Sequence, residues 1–382
     1  MIKEGSSLFI AGRTPVVPFQ GKYAVRRADV FEAMDAGMAL PAEWPYRPLR
    51  VELEITDKCN DSCAHCGMGA KSLSDGRNLS SAAIERLIDD FASVGLPSVA
   101  VTGGEPFVAQ PRLLELIERA RGWVDISKLT TNGFWGTEAQ CERTIDQLVA
   151  AGLLENRFFV PLIMVSIGEQ TVPLDRVCRL IHTLIERFPP EALNVGLSAL
   201  SVRGQGHNVK ELKTIYASMF GPFPDGRVHS TIRVYLANER IEGQAAELPE
   251  APTSVTRWMR HCYDCFAPTV GAYVLPTGLL KLDGDFYSCA AFNVPERLRL
   301  GNIYEDGFRA VLEEANRRAY IAKVRSGNGL AGLADIIPKA VTDKACADGY
   351  CDACSFLVDE FEREPVLVRL RARRDGPVIS GS

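Results

Sequence analysis

Three cysteines, Cys59, Cys63 and Cys66, crowd into the run EITDKCNDSCAHCGMGA, residues 54–70. Their spacing is C-x3-C-x2-C. Zinc sites normally draw on four ligands, usually as two separated pairs. Three thiolates on one loop are one ligand short of that, and suit a [4Fe–4S] cluster in which one iron has no protein ligand. Such an iron is open to a cofactor. His65 precedes the third cysteine. Its ring is placed either to pack on an adenine or to fill the loop, and both readings stay open.

The chain has eleven cysteines, and six of them come late: Cys262, Cys265, Cys289, Cys346, Cys351 and Cys354. Short spacings such as Cys262-x2-Cys265 and Cys351-x2-Cys354 point to metal ligation rather than to bridges. Cys141 and Cys178 stand alone inside helix-like segments. They read as small buried hydrophobes, the functional alternative being a thiol that donates a hydrogen atom.

The elements that must position these residues follow from periodicity. Strand-like runs at Val51–Thr56, Ser98–Thr102, Ile126–Thr131, Phe158–Ser166, Ala192–Leu200 and Ser230–Leu236 alternate with amphipathic helical runs. The helical runs are Ser81–Val94, Arg112–Arg121, Glu138–Ala151, Leu174–Arg187 and Val209–Phe220. Ile84, Leu87, Ile88, Phe91 and Val94 show the helical spacing, and Gly95, Gly122, Gly152 and Gly221 supply stop signals. Alternation of this kind predicts a parallel sheet. Doubly wound sheets bury both faces and read as continuously apolar. Here Glu52, Glu54 and Thr56 alternate with Val51, Leu53 and Ile55, and Thr231, Arg233 and Tyr235 with Ile232, Val234 and Leu236. One polar face favours an open barrel with a wet or ligand-holding lumen, with edge-strand solvation as the other source of polarity.

The expected organisation is α/β: an N-terminal extension over 1–49, a partial (β/α)6 TIM-like barrel over 50–241, and a loop-rich C-terminal domain over 242–382. The extension reads as a short hairpin followed by a helix at Ala28–Ala36. An acidic, proline-containing linker, EGQAAELPEAP, opens the last part, which holds a hairpin pattern at YVLPTGLLKLDGDFYSC and a helix around Phe308–Val324. Metal is expected to help hold that part in shape. Gly327-x-Gly329-x-x-Gly332 follows a helix rather than a strand, so it reads as a loop and not as a dinucleotide site.

On these residues the chain resembles the radical S-adenosylmethionine (SAM) enzymes. Their Cx3Cx-aromatic-C loop follows the first barrel strand, and Cys59, Cys63, His65 and Cys66 match it, with Asn60 also common there. Their GGEP segment after strand two is matched by Gly103-Gly104-Glu105-Pro106, and TTNG (Thr130–Gly133, with Asn132) closes strand three. The resemblance implies that SAM chelates the open iron and is cleaved reductively to methionine and a 5′-deoxyadenosyl radical, which abstracts a substrate hydrogen. It implies that the GGEP segment binds the SAM amino group, where glycines allow close approach and a carboxylate meets an ammonium. Ser166, Ser198, Arg203 and Arg233, on or just after strands four to six, fall where SAM ribose, SAM carboxylate and substrate contacts are expected; solvation of the barrel mouth is the competing reading. The family's Ser-x-Asp at the end of strand four is Ser166-Ile167-Gly168-Glu169 here, so any carboxylate role passes to Glu169.

The late cysteines resemble the auxiliary-cluster modules called SPASM and Twitch: Gly284-Asp285-Phe286-Tyr287-Ser288-Cys289 matches their Gx4C hairpin, and LGNIYED follows it. A complete SPASM carries a longer cysteine run than Cys346, Cys351 and Cys354 provide. One fully ligated auxiliary [4Fe–4S] cluster is expected, two clusters with one or both partly open being second and zinc third.

Function classes narrow accordingly. A net charge of −5 with no lysine- or arginine-rich run disfavours nucleic acid and anionic membrane as partners. No apolar run approaches the roughly 18 residues of a membrane span, and no signal peptide is visible, so a cytoplasmic location is expected. The expected function is a radical SAM oxidoreductase or tailoring enzyme acting on a natural-product small molecule, by dehydrogenation or epimerisation of a sugar-like or aminocyclitol carbon. Maturation of a ribosomally made peptide is the alternative. An electron donor such as flavodoxin or ferredoxin is implied. The rival class is a non-catalytic electron-transfer protein, against which the GGEP segment argues.

Overall fold

The computed structural model describes residues 46, 48, 50–63, 66, 69–157, 159–167, 172–202, 207–235, 277–288 and 296–318, with the backbone of short strands between residues 9 and 24. Those short strands form two antiparallel hairpins, β1 (Phe9–Ile10) with β2 (Thr14–Pro15) and β3 (Val17–Phe19) with β4 (Lys22–Ala24). Two hairpins thus stand where one was expected; the helix expected at Ala28–Ala36 lies outside the described residues.

Six parallel strands follow: β5 (Arg50–Glu54), β6 (Ser98–Thr102), β7 (Asp125–Thr131), β8 (Leu162–Ile167), β9 (Asn194–Val202) and β10 (Val228–Tyr235). Between them run α1 (Ser81–Ser93), α2 (Gln110–Ala120), α3 (Glu138–Ala150), α4 (Leu174–Arg187) and α5 (His207–Phe220). The strands lie side by side in chain order, and each helix packs on the next. A doubly wound sheet would reverse strand order at a switch point. Sequential winding under one helix layer is the open, partial-barrel arrangement.

Local sequence sets the elements. Ser80 caps α1 by accepting from the Ala83 N–H at 3.1 Å, and Ile84, Leu87, Ile88 and Phe91 are buried on its inner face. Gly95, at φ +64°, turns the chain back into β6. Strand four starts later than the sequence pattern suggests, at Leu162 rather than Phe158. Pro161 has no N–H for a ladder, and Asp125 takes the Arg157 and Phe159 N–H groups at 2.9 Å each, holding that segment off the sheet.

Beyond β5 the sheet continues with late residues. β11 (Thr277–Leu280) pairs parallel with β5, and β12 (Asp285–Tyr287) and β13 (Arg299–Asn302) extend it antiparallel. After the one-turn α6 (Ile303–Asp306), α7 (Phe308–Arg317) packs on α1, with the Phe91 and Phe308 rings edge-to-face at 5.2 Å. Asn316 clasps Tyr46, accepting from its N–H at 3.0 Å and donating to its carbonyl at 3.2 Å. The described part of the C-terminal segment therefore shares one hydrophobic core with the barrel. Among the described residues no helix is long and apolar enough to cross a membrane.

Candidate active site

Three loops meet at the C-terminal ends of β5, β6 and β7. The cysteine loop leaves β5 through Ile55 and is pinned at its base by Thr56, whose hydroxyl donates to the Asn78 side chain at 2.7 Å. The Cys59 N–H donates to the Lys71 carbonyl at 2.9 Å, and the Cys66 N–H to the Cys63 carbonyl at 3.0 Å. The loop after β6 lies directly against it: Gly104 N–H donates to Thr56 O, and Glu105 N–H to Lys58 O, both at 2.7 Å. A Cβ on Gly103 would stand 2.3 Å from Thr56 O, and one on Gly104 would stand 2.1 Å from Lys58 O. The close approach that requires these two glycines is to the chain's own backbone. Pro106 opens a 3-10 turn, Pro106–Ala109, capped by the Glu105 side chain.

Glu105 is 1% exposed. Its Oε1 accepts from Phe107 N–H at 3.1 Å and Thr131 Oγ1 at 2.9 Å, and its Oε2 from Asn132 N–H at 2.6 Å. Burial still pushes its carboxyl up to about 7, against the lowering by those hydrogen bonds. Asn132 Nδ2 donates to Asn60 Oδ1 at 3.0 Å, tying the loop after β7 to the cysteine loop. Trp135 supports the same knot, its Nε1–H donating to Thr131 Oγ1 at 3.0 Å while its ring stacks on Phe107 at 4.6 Å. Asn60, Thr131 and Trp135 carry no role in the sequence reading. Asn60 and Thr131 lie inside the quoted motifs, and Trp135 stands two residues beyond TTNG.

Cys59 and Cys63 are half-buried and Cys66 is exposed, all three as free thiols. The Asp61 N–H donates to Cys59 Sγ at 3.4 Å. Burial first, with Asp61 and the neighbouring thiols adding to it, pushes Cys63 up to about 12. Burial likewise raises Cys59 to about 11, against the hydrogen bond from Asp61.

On the sheet face away from the helices, the alternating polar residues form levels. Glu52 and Lys128 form an ion pair at 2.7 Å, and Arg50 reaches Glu52 at 3.1 Å. Glu54 pairs in register with Thr102, and Thr130, Met164 and Gly196 share a level farther round. Ser166 and Ser198 are in register one level higher, both half-buried, and Thr231 is registered beside Ser198. The Glu52–Lys128 pair escaped the sequence reading, because 76 residues separate its members and only the sheet aligns them. At the Glu52 and Glu54 levels the lumen is not wet: the two carboxylates are 7% and 8% exposed.

Cys141 and Cys178 are buried in α3 and α4 in the outer helix layer, as packing residues, with Cys178 Sγ 3.5 Å from Leu212 O. His65, Glu169, Arg203 and all six late cysteines lie outside the described residues, as do the side chain of Arg233 and the glycine-rich run from Gly327. The Gx4C hairpin is described up to Ser288, with Gly284 at φ +94° in the turn between β11 and β12.

Residues 53–205, which carry the cysteine triplet, the GGEP segment and the TTNG loop, match the model of the radical SAM superfamily. This part of the chain is a radical SAM domain. Among curated proteins the chain is similar to GTP 3',8-cyclase of Lactiplantibacillus plantarum, 38% identical over 90 residues, which is 22% of this chain and 26% of that protein. It is also similar to the PqqA peptide cyclase of Xanthomonas campestris, 33% identical over 106 residues, 28% of this chain and 27% of that protein. The chain thus spans about a quarter of the length of the curated relatives it matches. Among solved structures, native anSMEcpe with bound AdoMet aligns at a TM-score of 0.49 and 14% identity, over 84% of this chain and 99% of that one.

A radical SAM domain uses a [4Fe–4S] cluster and SAM, and the cysteine loop fits the cluster by the chemistry of its donors. Its described backbone is held by N–H···O=C bonds at Cys59 and Cys66. Iron takes thiolates, so its binding would displace the Cys59 and Cys63 protons against the burial that raises both groups. Among the described residues no three His, Cys, Asp or Glu side chains are already drawn into a closed metal group. In the radical SAM domain Glu105 spends three of roughly four carboxylate acceptor positions on the chain itself.

Proposed function

We propose that this protein is a radical SAM enzyme that tailors a small polar molecule, by dehydrogenation or epimerisation of a sugar-like or aminocyclitol carbon. One observation supports the radical SAM part of the reading. The cysteine loop, the GGEP loop and Asn132 are hydrogen-bonded into one assembly at the C-terminal ends of three adjacent parallel strands, where barrel enzymes place their chemistry. When bound, the cluster and SAM supply a carbon radical that removes a substrate hydrogen.

The chain's part is placement. Cys59, Cys63 and Cys66 hold the cluster, and Gly103, Gly104 and Glu105 bring the loop after β6 against its base. The Glu105 acceptor position left free faces the SAM ammonium, and Asn132 fixes the cysteine loop from the far side. Ser166 and Ser198, level with each other across β8 and β9, meet SAM or substrate hydroxyls, with His65 and Arg203 completing the SAM contacts. The late cysteines hold at least one auxiliary [4Fe–4S] cluster, and a flavodoxin- or ferredoxin-like donor supplies electrons. The second reading, maturation of a ribosomal peptide, is favoured by the similarity to a PqqA peptide cyclase.

The decisive test combines two measurements. Replacing Cys59, Cys63 and Cys66 together by alanine should abolish 5′-deoxyadenosine formation under reducing conditions; persistence of SAM cleavage would sink the assignment. Mass spectrometry of reactions with metabolites or neighbouring-gene peptides then separates the two substrate classes.

A further inference from the structure

Two carboxylates stand on β5, on the same face and one level apart, and they differ in what they meet. Glu52 is held by Lys128 at 2.7 Å and Arg50 at 3.1 Å, as expected for a buried charge in a folded chain. Glu54, nearer the cysteine loop, is 8% exposed, and among the described residues no cation lies at ion-pair distance from it; Lys281 acts on it only through space. Its one hydrogen bond comes from the Leu282 N–H, 3.3 Å from Oε2, in the turn between β11 and β12. The charged groups facing Glu54 are Lys281 and Asp283 of that turn and Asp57 at the base of the cysteine loop. Lys281 lies 4.7 Å from the Tyr287 ring centroid, in a cation–π contact. Asp57 is paired with Lys71 at 3.1 Å. Burial, the largest effect, pushes the Glu54 carboxyl up to about 7.

We propose that Glu54 is a substrate-binding carboxylate that takes a protonated amine, so that the substrate of the radical SAM reaction is a cationic amine on a hydroxyl-rich body. A buried carboxylate without a counter-ion is costly, and a ligand that brings the cation recovers that cost on binding. Hydroxyls around Glu54 fit the rest of such a ligand: Thr102 is in register with it, Thr130 lies farther round the sheet, and Ser198 stands higher. Among the described lumen residues, Arg50 and Lys128 both pair with Glu52. The inference rests on the radical SAM reading for the nature of the reaction, but not for the site.

The test uses the full chain, reconstituted with iron, sulfide and SAM, and three probes sharing one carbon skeleton: glucamine (cationic), sorbitol (neutral) and gluconate (anionic). Affinities are measured by titration calorimetry. Glucamine should bind roughly tenfold more tightly than sorbitol at about pH 8, and gluconate more weakly than either. The preference should shrink as pH falls below about 7 and Glu54 gains its proton. Glu54→Gln should level glucamine with sorbitol while SAM affinity stays unchanged, and Glu54→Asp should keep part of the preference. Equal affinities in the wild type, absence of glucamine binding, a preference that survives Glu54→Gln, or a parallel loss of SAM affinity would each overturn the proposal. Iron content and SAM cleavage of the wild type, measured separately, report on the radical SAM reading. Their failure with the amine preference intact would remove that reading and leave the Glu54 site standing.

Discussion

Glu105 holds three chain donors in a place water barely reaches, and the SAM contact proposed for it falls on the same carboxylate. Each buried donor left unpaired costs about 1–3 kcal/mol. Glu105→Ala should therefore loosen the loop after β7 and weaken SAM binding by roughly one to two orders of magnitude, read by equilibrium dialysis. Unchanged SAM affinity would reduce Glu105 to a strand-end clamp. Glu54 gives a pH signature. Its folded value, about 7, lies above the ordinary 4.5, so between those values the folded chain binds more protons than the unfolded one. Stability from this group is full below about pH 4.5 and is lost as pH rises through 7, by up to about 3 kcal/mol. Glu54→Gln should flatten the slope of urea-unfolding free energy over that window; an identical slope in wild type and variant would contradict it.

At the scale of elements, the loops after β5 and β6 behave as one unit because two glycines let their backbones touch. A methyl on Gly104 meets the Lys58 carbonyl, which is backbone and cannot swing away. Gly104→Ala should part the two loops, costing about 2 kcal/mol or more, and lower cluster retention, measured as iron per chain after reconstitution and desalting. Wild-type iron retention would show that the loops tolerate separation. The helices and strands were largely legible, since Ile84, Leu87, Ile88 and Phe91 and the alternation from Val51 to Thr56 are local patterns. The need for glycine at Gly103 and Gly104 was legible as well, but as an approach to a cofactor, whereas the approach the structure shows is to the chain's own backbone. Contacts such as Asn60 with Asn132 were not legible, because 72 residues of chain intervene and only the parallel register brings them together. The late start of β8 was also hidden: Pro161 was visible, but the competing hold of Asp125 on the preceding segment was not.

At the scale of the whole molecule, the late hairpin is joined to the barrel. Phe308 is fully buried against Phe91 and Phe286, so Phe308→Ala should cost about 3–5 kcal/mol and lower the midpoint of cooperative unfolding of barrel and hairpin together. Two separate transitions would show that the hairpin melts alone. Iron analysis of the variant lacking the early triplet should find about four irons per chain if the late cysteines hold one cluster, and near eight if they hold two. Zinc in place of iron would make that segment a structural cap. The pairing of β11 with β5 also sets an order of events during synthesis. Glu54, immediately before the cysteine loop, waits for a partner 228 residues later, so β5 leaves the ribosome with one edge bare. Folding must close that long interval before the sheet is complete, which is slow compared with forming the βα units between. Until then the cysteine loop lies open on one flank to whatever delivers iron and sulfide. A chain ending before Thr277 would keep the β5 edge permanently unpaired, a template for joining other chains rather than finishing its own barrel.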